Sequence, residues 1–598
     1  MSAAGLDASR PVIAVDHLLV PTDEGVALVH NLTDGRLERV SAAAAALLGL
    51  LSDFRPLEEH FASIPEAAAD FLGEEILRAA FAELEAKGLV YGADRLRSEL
   101  AASRSAFPAR LPLRIEAASW LTRSRYGSLE RSMASFIRDF AEAGRSPLLR
   151  VFDDSPDPRE RVSCRGRLAA LARASGFTIE YAGHEEKRVY ADRLAAASGV
   201  ERRVIDFALF GRPGLDAPTI GANHNAALLF SRGRPYLHCD DDILCEPAPS
   251  PNAEPGFVVS ERDHLGGFRF FGSEAELAAA VTTEPVDVLA RFEELLGREA
   301  GELIGVAGPE SRVRLKALSP AFVHRLAHAE LRPAIVSVGC YGDSGMRNPS
   351  IWEVVPTPDL LALFPDAASF ASALRSRALW RRSTTAGLTR NPSFMSMNAA
   401  LAPELGLPPH FPCFHNEDGL FAASYLKLNP GGAIGHLPFA LRHDSANPPF
   451  YGEGDEAYVP GLDDILVALV EELRPSPGWM SLGGEARFAE LGAHIRAAVG
   501  EGRKRAMEFV HGGIIDAYAG RIEMLERRAE DDSLPEYLRS GMLDAVALRR
   551  RLIAGKRFIP NELVRRPDWA DIVVSLGRDY AALLEAWPEL MKKAASLG

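Results

Sequence analysis

Two short apolar runs, PLLRVF (Pro147 to Phe152) and RPYLHC (Arg234 to Cys239), open directly into carboxylates: Asp153-Asp154 after the first, Asp240-Asp241-Asp242 after the second. Runs of this length bounded by turn residues read as buried strands, and the helical patterns between them predict an α/β fold with a largely parallel sheet covered on both faces. Such sheets bind ligands beyond the carboxyl ends of their strands. Aspartates placed there offer the oxygens that hard divalent cations choose, as a diphosphate ligand would require. An acidic triplet by itself is more often a solvated loop, so its meaning depends on its neighbours.

Upstream, Leu113 to Ser119 reads as a first strand, and a helix from Ser128 presents Leu129, Met133, Phe136, Ile137 and Phe140 on one face. FTIEYAG (Phe177 to Gly183) makes a third strand after Leu148 to Phe152, and GANHNAALLF (Gly221 to Phe230) a helix feeding the fourth, Tyr236 to Cys239. Downstream, Glu246 to Pro333 is less regular and reads as an insertion with its own helices. Ala334 to Trp352 returns to a strand and a glycine-rich loop, a lid over a ligand or an ordinary surface loop, without the G-x-x-x-x-G-K-[ST] of a phosphate loop. From about Pro460 the pattern is helical. Met507, Val510, Ile514, Tyr518 and Leu525 form one stripe, and Val573, Leu576, Tyr580, Leu583, Leu584 and Trp587 another.

A chain of 598 residues exceeds one ordinary domain. Its net charge of -15, with no basic run, opposes nucleic-acid binding and a charge-driven membrane role. Five scattered cysteines form no C-x-x-C pair, and no apolar stretch is long enough for a bilayer, so the expected setting is a reduced cytoplasm.

The N-terminal region has three short strands, Val15 to Val20, Gly25 to Leu32 and Arg36 to Val40, separated by Pro21-Thr22-Asp23-Glu24 and Thr33-Asp34-Gly35. Ser41 is a fitting N-cap for AAAAALLGLL, and EEILRAAFAELEAKG sets Ile76, Leu77, Phe81 and Leu84 at helical spacing. This winged-helix-like pattern, above all VSAAAAALLGLL and AFAELEAKGLVYG, resembles the PqqD-type recognition elements that bind the leaders of ribosomally made, modified peptides. The resemblance implies that a precursor peptide adds as a strand to an edge between Val26 and Val40, facing the helix Glu75 to Lys87. A winged helix that merely packs on the enzyme or dimerises is the plainer alternative.

Thr122-Arg123 after the first strand, Asp153-Asp154-Ser155 after the second, Gly221-Ala222-Asn223-His224-Asn225 opening a helix, and Asp240-Asp241-Asp242 after the fourth resemble, in that order, the inverting glycosyltransferases of the A-type, family-2-like group. That resemblance implies a nucleoside-diphosphate sugar donor and a Mn2+ or Mg2+ cofactor. Asp153 or Asp154 would contact base or ribose, with Thr122, Asn223, Asn225 and Asp241 around the donor. Asp240 would lie near ribose and sugar, and Asp242, with Asp240, would hold the metal. RNPSFMSMNAALAPELGLPPHFPCFHNEDGLFAASYL (Arg390 to Leu426) is similar to the acceptor half, which implies Asp418 as general base with Glu417 supporting it. His443, with His436 second, would complete the metal's ligands. Aspartate caps helices well, Asn223 and Asn225 suit turns and caps, and carboxylates suit helix starts generally, so each piece has a plain structural alternative. The Q-x-x-R-W helix of processive synthases is missing.

The expected organisation is a PqqD-like winged-helix domain at 1–96, a linker at 97–112, an A-type catalytic domain at 113–450 and a helical domain at 451–598. The C-terminal helices would brace the catalytic domain, contact the acceptor or form a homodimer. The expected reaction moves a sugar to a Ser, Thr or Cys of a precursor peptide. A transferase acting on a glycan, lipid or small molecule, or a degenerate one that only binds peptide or nucleotide, is the alternative.

Overall fold

A computed structural model of the chain describes residues 10–22, 25–32, 34–62, 64, 73–103, 112–306, 313–327, 331–452, 458–473, 479, 482–556 and 558–597. A mixed sheet of 13 strands organises it. Its main path runs Val313–Lys316, Phe257–Ser260, Ala386–Thr389, Gly432–His443, Arg332–Asp343, Asn398–Leu401, Tyr236–Asp240, Ala117–Thr122, Leu148–Asp153 and Ile179–Ala182. The last four are parallel to one another, as the strand and helix alternation predicts. Asn398–Leu401 enters antiparallel to both its neighbours and makes the sheet mixed.

Register matters more than strand count. Thr122 stands opposite Asp153, and Leu121 opposite Asp240, so the carboxyl ends of three adjacent strands finish at one level. The first strand begins at Ala117, not Leu113. Ahead of it the Ile115 N–H donates to Glu293 Oε1 at 2.9 Å, which satisfies the backbone through a helix carboxylate in place of a strand.

Side chains alternate across the pleat. Trp120 and Val151 join one buried cluster, which also takes in the N-terminal unit; Leu121 and Phe152 join the other, together with the C-terminal helices. Leu525, Leu538, Met542 and Val546 of the same helices belong to a further cluster with Trp352, Phe364 and Phe370. Trp587, on Trp569–Ser596, donates its indole N–H to the Leu407 carbonyl at 2.9 Å, and Tyr580 meets the Phe411 ring edge-on at 5.1 Å. The stretch Glu246 to Pro333 likewise extends the sheet: Phe257–Ser260 and Val313–Lys316 lengthen its far edge, and Gly266–Phe270 pairs with Ala378–Ser383.

At the N-terminus His17–Pro21, Val26–Asn31 and Leu37–Ser41 form an antiparallel meander. Val26–Asn31 is its centre, so of the strands expected to offer an edge only Leu37–Ser41 does so. Ser41 caps Ala42–Leu50, accepting from Ala44 N–H, and its hydroxyl donates to Glu83 on Glu74–Ala86 at 2.7 Å. Pro11–Ala14, unread as a strand because it is four residues beside a proline, pairs with Arg55–Pro56 and Val90–Gly92 in a second small sheet. Of the expected linker, 97–103 continue the helix Ala93–Ser103, and 104–111 lie outside the described residues, as do Asp23, Glu24 and Thr33 of the expected turns.

Because one buried cluster joins sheet and C-terminal helices, Trp587→Ala is expected to cost about 3–5 kcal/mol. Urea unfolding followed by tryptophan fluorescence and by far-UV circular dichroism should show both signals shifting together; a sheet transition left at its wild-type midpoint would refute the shared core.

Candidate functional site

The second strand delivers two carboxylates that the protein itself uses. Asp153 is fully buried; one oxygen accepts from the Ser155 N–H at 2.8 Å and the other from the Tyr181 hydroxyl at 2.8 Å. It holds the strand-to-helix turn, while capping of Pro158–Ser175 falls to Asp157. Asp154 accepts from His184 Nε2 at 2.9 Å, Lys187 Nζ at 3.3 Å and the Thr219 hydroxyl. Burial alone would raise its pKa; Lys187 and His184 outweigh that and hold it at about 2. Lys187, itself 0% exposed, also donates to Asn223 Oδ1 at 2.6 Å. Asp153 and Asn225, expected at the donor, are both occupied by partners within the chain. Asn225 is fully buried, bonds the His410 backbone through both N–H and C=O and also reaches the Ala208 carbonyl, so it locks a loop in place.

The fourth strand delivers the acidic triplet. Asp241 Oδ2 accepts from the Thr122 hydroxyl at 2.6 Å, and the Arg125 guanidinium bridges Asp241 Oδ1 and Asp242 Oδ2 at 2.6 Å each. Asp242 Oδ1 faces His443 Nε2 at 3.3 Å, and His443 Nδ1 lies 2.8 Å from the Asp343 carbonyl. Burial opposes both charges of this pair, yet His443 and Arg125 pull Asp242 down, and Asp242 lifts His443 to about 9. Asp241 moves the other way, raised by burial and by the charge of Asp242 against the pull of Arg125. Asp240 is partly exposed and lies 3.4 Å from His238 Nε2.

These donors suit a divalent cation. The carboxylate of Asp242 and the imidazole of His443 are ligand types that suit Mn2+ and, less closely, Mg2+, whereas Asp240 is not drawn in with them to a three-ligand group. Asp242 Oδ1 and His443 Nε2 already converge, and a guanidinium and an imidazolium supply the positive charge the buried acids demand. Binding of a cation at these atoms requires the neutral ring, hence loss of the His443 proton. His436, the second choice, is excluded: it sits seven residues earlier on the same strand, ~23 Å away at 3.3 Å per residue.

Asp418 opens the helix Glu417–Leu428, 20% exposed. Oδ2 accepts from the Ser396 N–H at 2.8 Å, and Oδ1 has no hydrogen-bond partner among the described residues. Beneath it lies a neutral aromatic stack: His224 on His410 at 4.2 Å and 12°, and His410 on Phe421 at 3.9 Å and 8°. Burial drives both imidazoles well below their usual pKa, so they bring Asp418 no counter-charge. Burial first, with the Asp240 charge adding to it, lifts Asp418 to about 6 against the Ser396 hydrogen bond. Glu417 is buried, and is raised well above the carboxylate range by burial and then by Asp418.

His224, His410 and Asp418 each place a ligand-type atom within 4.8 Å of the others. An imidazole nitrogen binds a metal in the plane of its ring, and two stacked rings hold their lone pairs in parallel planes that do not meet at one ion. Their geometry is that of a wall under Asp418.

Compared with known proteins, the chain matches no protein-family model and no curated protein sequence. The site thus stands on its own chemistry. Sequence reasoning placed Thr122, Asp240, Asp241, Asp242, His443, Glu417 and Asp418, and the structure gathers the first five around the triplet and the last two across from it. It missed Arg125, Lys187 and His410. Arg125 follows the named pair Thr122-Arg123 by two residues, whereas Lys187 carries no signal beyond a place in an ordinary helical run.

For a buried carboxyl whose folded pKa exceeds the unfolded value, the folded state binds the extra proton, so its ionic form destabilises above the folded pKa and the penalty vanishes below the unfolded one. Asp418→Asn is therefore expected to raise the thermal midpoint at pH 8, with the gain shrinking between pH 6 and 4. Calorimetry across that range would show it, and a gain that is constant with pH would exclude a raised Asp418.

Proposed function

We propose that this chain is a metal-dependent inverting glycosyltransferase of the A-type fold, moving a sugar from a nucleoside diphosphate to a side-chain hydroxyl or thiol of a precursor peptide held by the N-terminal unit. The observation that carries the reading is the meeting of two ligand sets at the carboxyl ends of in-register strands. Asp242, whose Oδ1 lies 3.3 Å from His443 Nε2, stands on one side with the partly exposed Asp240, and Asp418, which feels the charge of Asp240, on the other.

Single-displacement sugar transfer needs a base on the acceptor side. Asp418 offers the carboxylate: Oδ2 is fixed by the Ser396 N–H, and Oδ1 is enclosed without a hydrogen-bond partner among the described residues, 4.0 Å from His410 Nδ1, so a side-chain turn that uncovers it would ready it for the acceptor proton. Its pKa near 6 keeps it ionised at neutral pH while leaving it more basic than an ordinary aspartate. A Mn2+ or Mg2+ ion held by Asp240, Asp242 and His443 would supply charge neutralisation for the leaving diphosphate. Arg125, 46% exposed, adds a second positive group beside it.

The N-terminal meander supports leader capture. Its Leu37–Ser41 edge carries Leu37 63% exposed and lies beside Glu74–Ala86, bound through Ser41 and Glu83. Glu83 and Lys87 of the neighbouring helix already bind the Ser41 N–H and the Arg39 carbonyl on that edge, so an extended peptide added there would have to displace them.

Purified protein with Mn2+ and a panel of UDP-, GDP- and dTDP-sugars tests the reading: peptide-stimulated release of nucleoside diphosphate with a matching mass gain supports it, and no turnover of any donor refutes it. Turnover should fall below about pH 6 as Asp418 takes up a proton. Asp418→Asn is expected to lower the rate by about 10²–10⁴ while Mn2+-dependent nucleotide binding persists, and Asp242→Ala to remove that binding.

A further inference from the structure

A cavity of about 750 Å3 lies between the glycine-rich loop, the start of the Glu417–Leu428 helix and the C-terminal helices. It adjoins both halves of the site. His415 and Asn416 line it and immediately precede Glu417 and Asp418. Gly345 lines it opposite, at φ +68, packed so closely that a Cβ would come 3.4 Å from the His443 ring and 2.7 Å from Met397. Its size falls within the roughly 300–1,000 Å3 range of built ligand sites.

The third wall comes from beyond the catalytic sheet. Asp463 and Asp464 at the start of Leu462–Glu472, Arg521, Leu552 and Glu562 all face the cavity. Asp464 binds the Asn416 side chain at 2.6 Å; Glu562 Oε1 accepts from the Leu462 N–H at 3.3 Å, and its Oε2 is enclosed with no hydrogen-bond partner among the described residues. Arg347 is the cation that acts on these acids. Arg521 is turned toward Glu353, 3.6 Å away, which also binds Arg549 at 2.7 Å. Carboxylate thus outweighs guanidinium inside the cavity, and burial raises all three acids.

We infer that this cavity is the acceptor site and that it takes a segment carrying an ammonium or guanidinium group beside the attacking hydroxyl or thiol; the inference rests on the glycosyltransferase reading. A ligand cation in the cavity would face the carboxylates of Asp463, Asp464 and Glu562 that line it, and Glu562, with one oxygen left without a hydrogen-bond partner among the described residues, is the one with bonding capacity to spare. The C-terminal helices then form the specificity wall for the acceptor.

The test is direct binding without a donor. Fluorescein-labelled Gly-Gly-Lys-Ser-Lys-Gly-Gly and its norleucine counterpart are titrated against the full chain and followed by anisotropy. The lysine peptide should bind about tenfold tighter, and Glu562→Gln should erase most of that preference. Leu552→Trp, which fills the wall with a larger side chain, should weaken both peptides; circular dichroism checks that each variant is folded. No binding of either peptide, equal binding of the two, or a lysine preference untouched by Glu562→Gln and Leu552→Trp overturns the inference. Turnover of nucleotide sugars is measured separately, so its failure would strike the reaction while a surviving lysine preference would still locate a cationic-peptide site.

Discussion

Buried negative charge at the ends of three in-register strands sets the terms for the rest of this structure. Asp153, Asp154, Asp241 and Asp242 are all buried, and a carboxylate removed from water must be matched by donors or by opposite charge. The fold answers with a different device at each. Asp153 is closed by a serine and a tyrosine, Asp154 by a fully enclosed lysine, Asp241 and Asp242 by one guanidinium shared between them and by an imidazolium. Those partners come from four separate elements, so satisfying the acids also fixes where helices and loops must meet the sheet. The first pair is spent on architecture. The second is balanced by a half-exposed guanidinium and an imidazole.

Asp418 is the exception, and the contrast gives it meaning. It receives one backbone N–H and rests on two neutral rings. A carboxylate left so poorly compensated is costly to stability and useful as a base, the trade that functional sites commonly show. The histidines below it are not surplus ligands. Stacked and uncharged, they give Asp418 a wall that fills space without neutralising it.

Local chemistry was legible in the sequence wherever it was written in consecutive residues. The strands ending in aspartate, the Ser41 cap, the acidic opening of the Glu417–Leu428 helix and the two C-terminal stripes all follow from spacing. What the sequence did not show depends on pairing between distant segments. The antiparallel entry of Asn398–Leu401 beside Tyr236–Asp240 joins positions far apart in the chain, and no periodicity encodes it. Lys187 reads as one more helical lysine until folding brings it to Asp154 and Asn223. Asn225 reads as a ligand contact for the same reason, since its true partners, Ala208 and His410, are invisible from its neighbours. Whether the C-terminal helices brace the sheet, meet an acceptor or pair with a second copy could not be read from their amphipathic stripes, which fix that a face is buried but not against what.

What that face is buried against bears directly on chemistry. Asp463, at the start of a C-terminal helix, accepts from the backbone N–H of His415 at 3.0 Å and of Asn416 at 2.5 Å. Those two residues lead into Glu417 and Asp418, so the entry of the base-bearing helix is gripped from outside the catalytic sheet. An N–H pair bound by a buried carboxylate resists displacement, because breaking it strands a charge. The C-terminal helices therefore do more than cover an apolar face: they fix the angle at which Asp418 leaves its loop and at the same time wall the cavity beside it. Any shift of those helices would move Asp418 and reshape that cavity together.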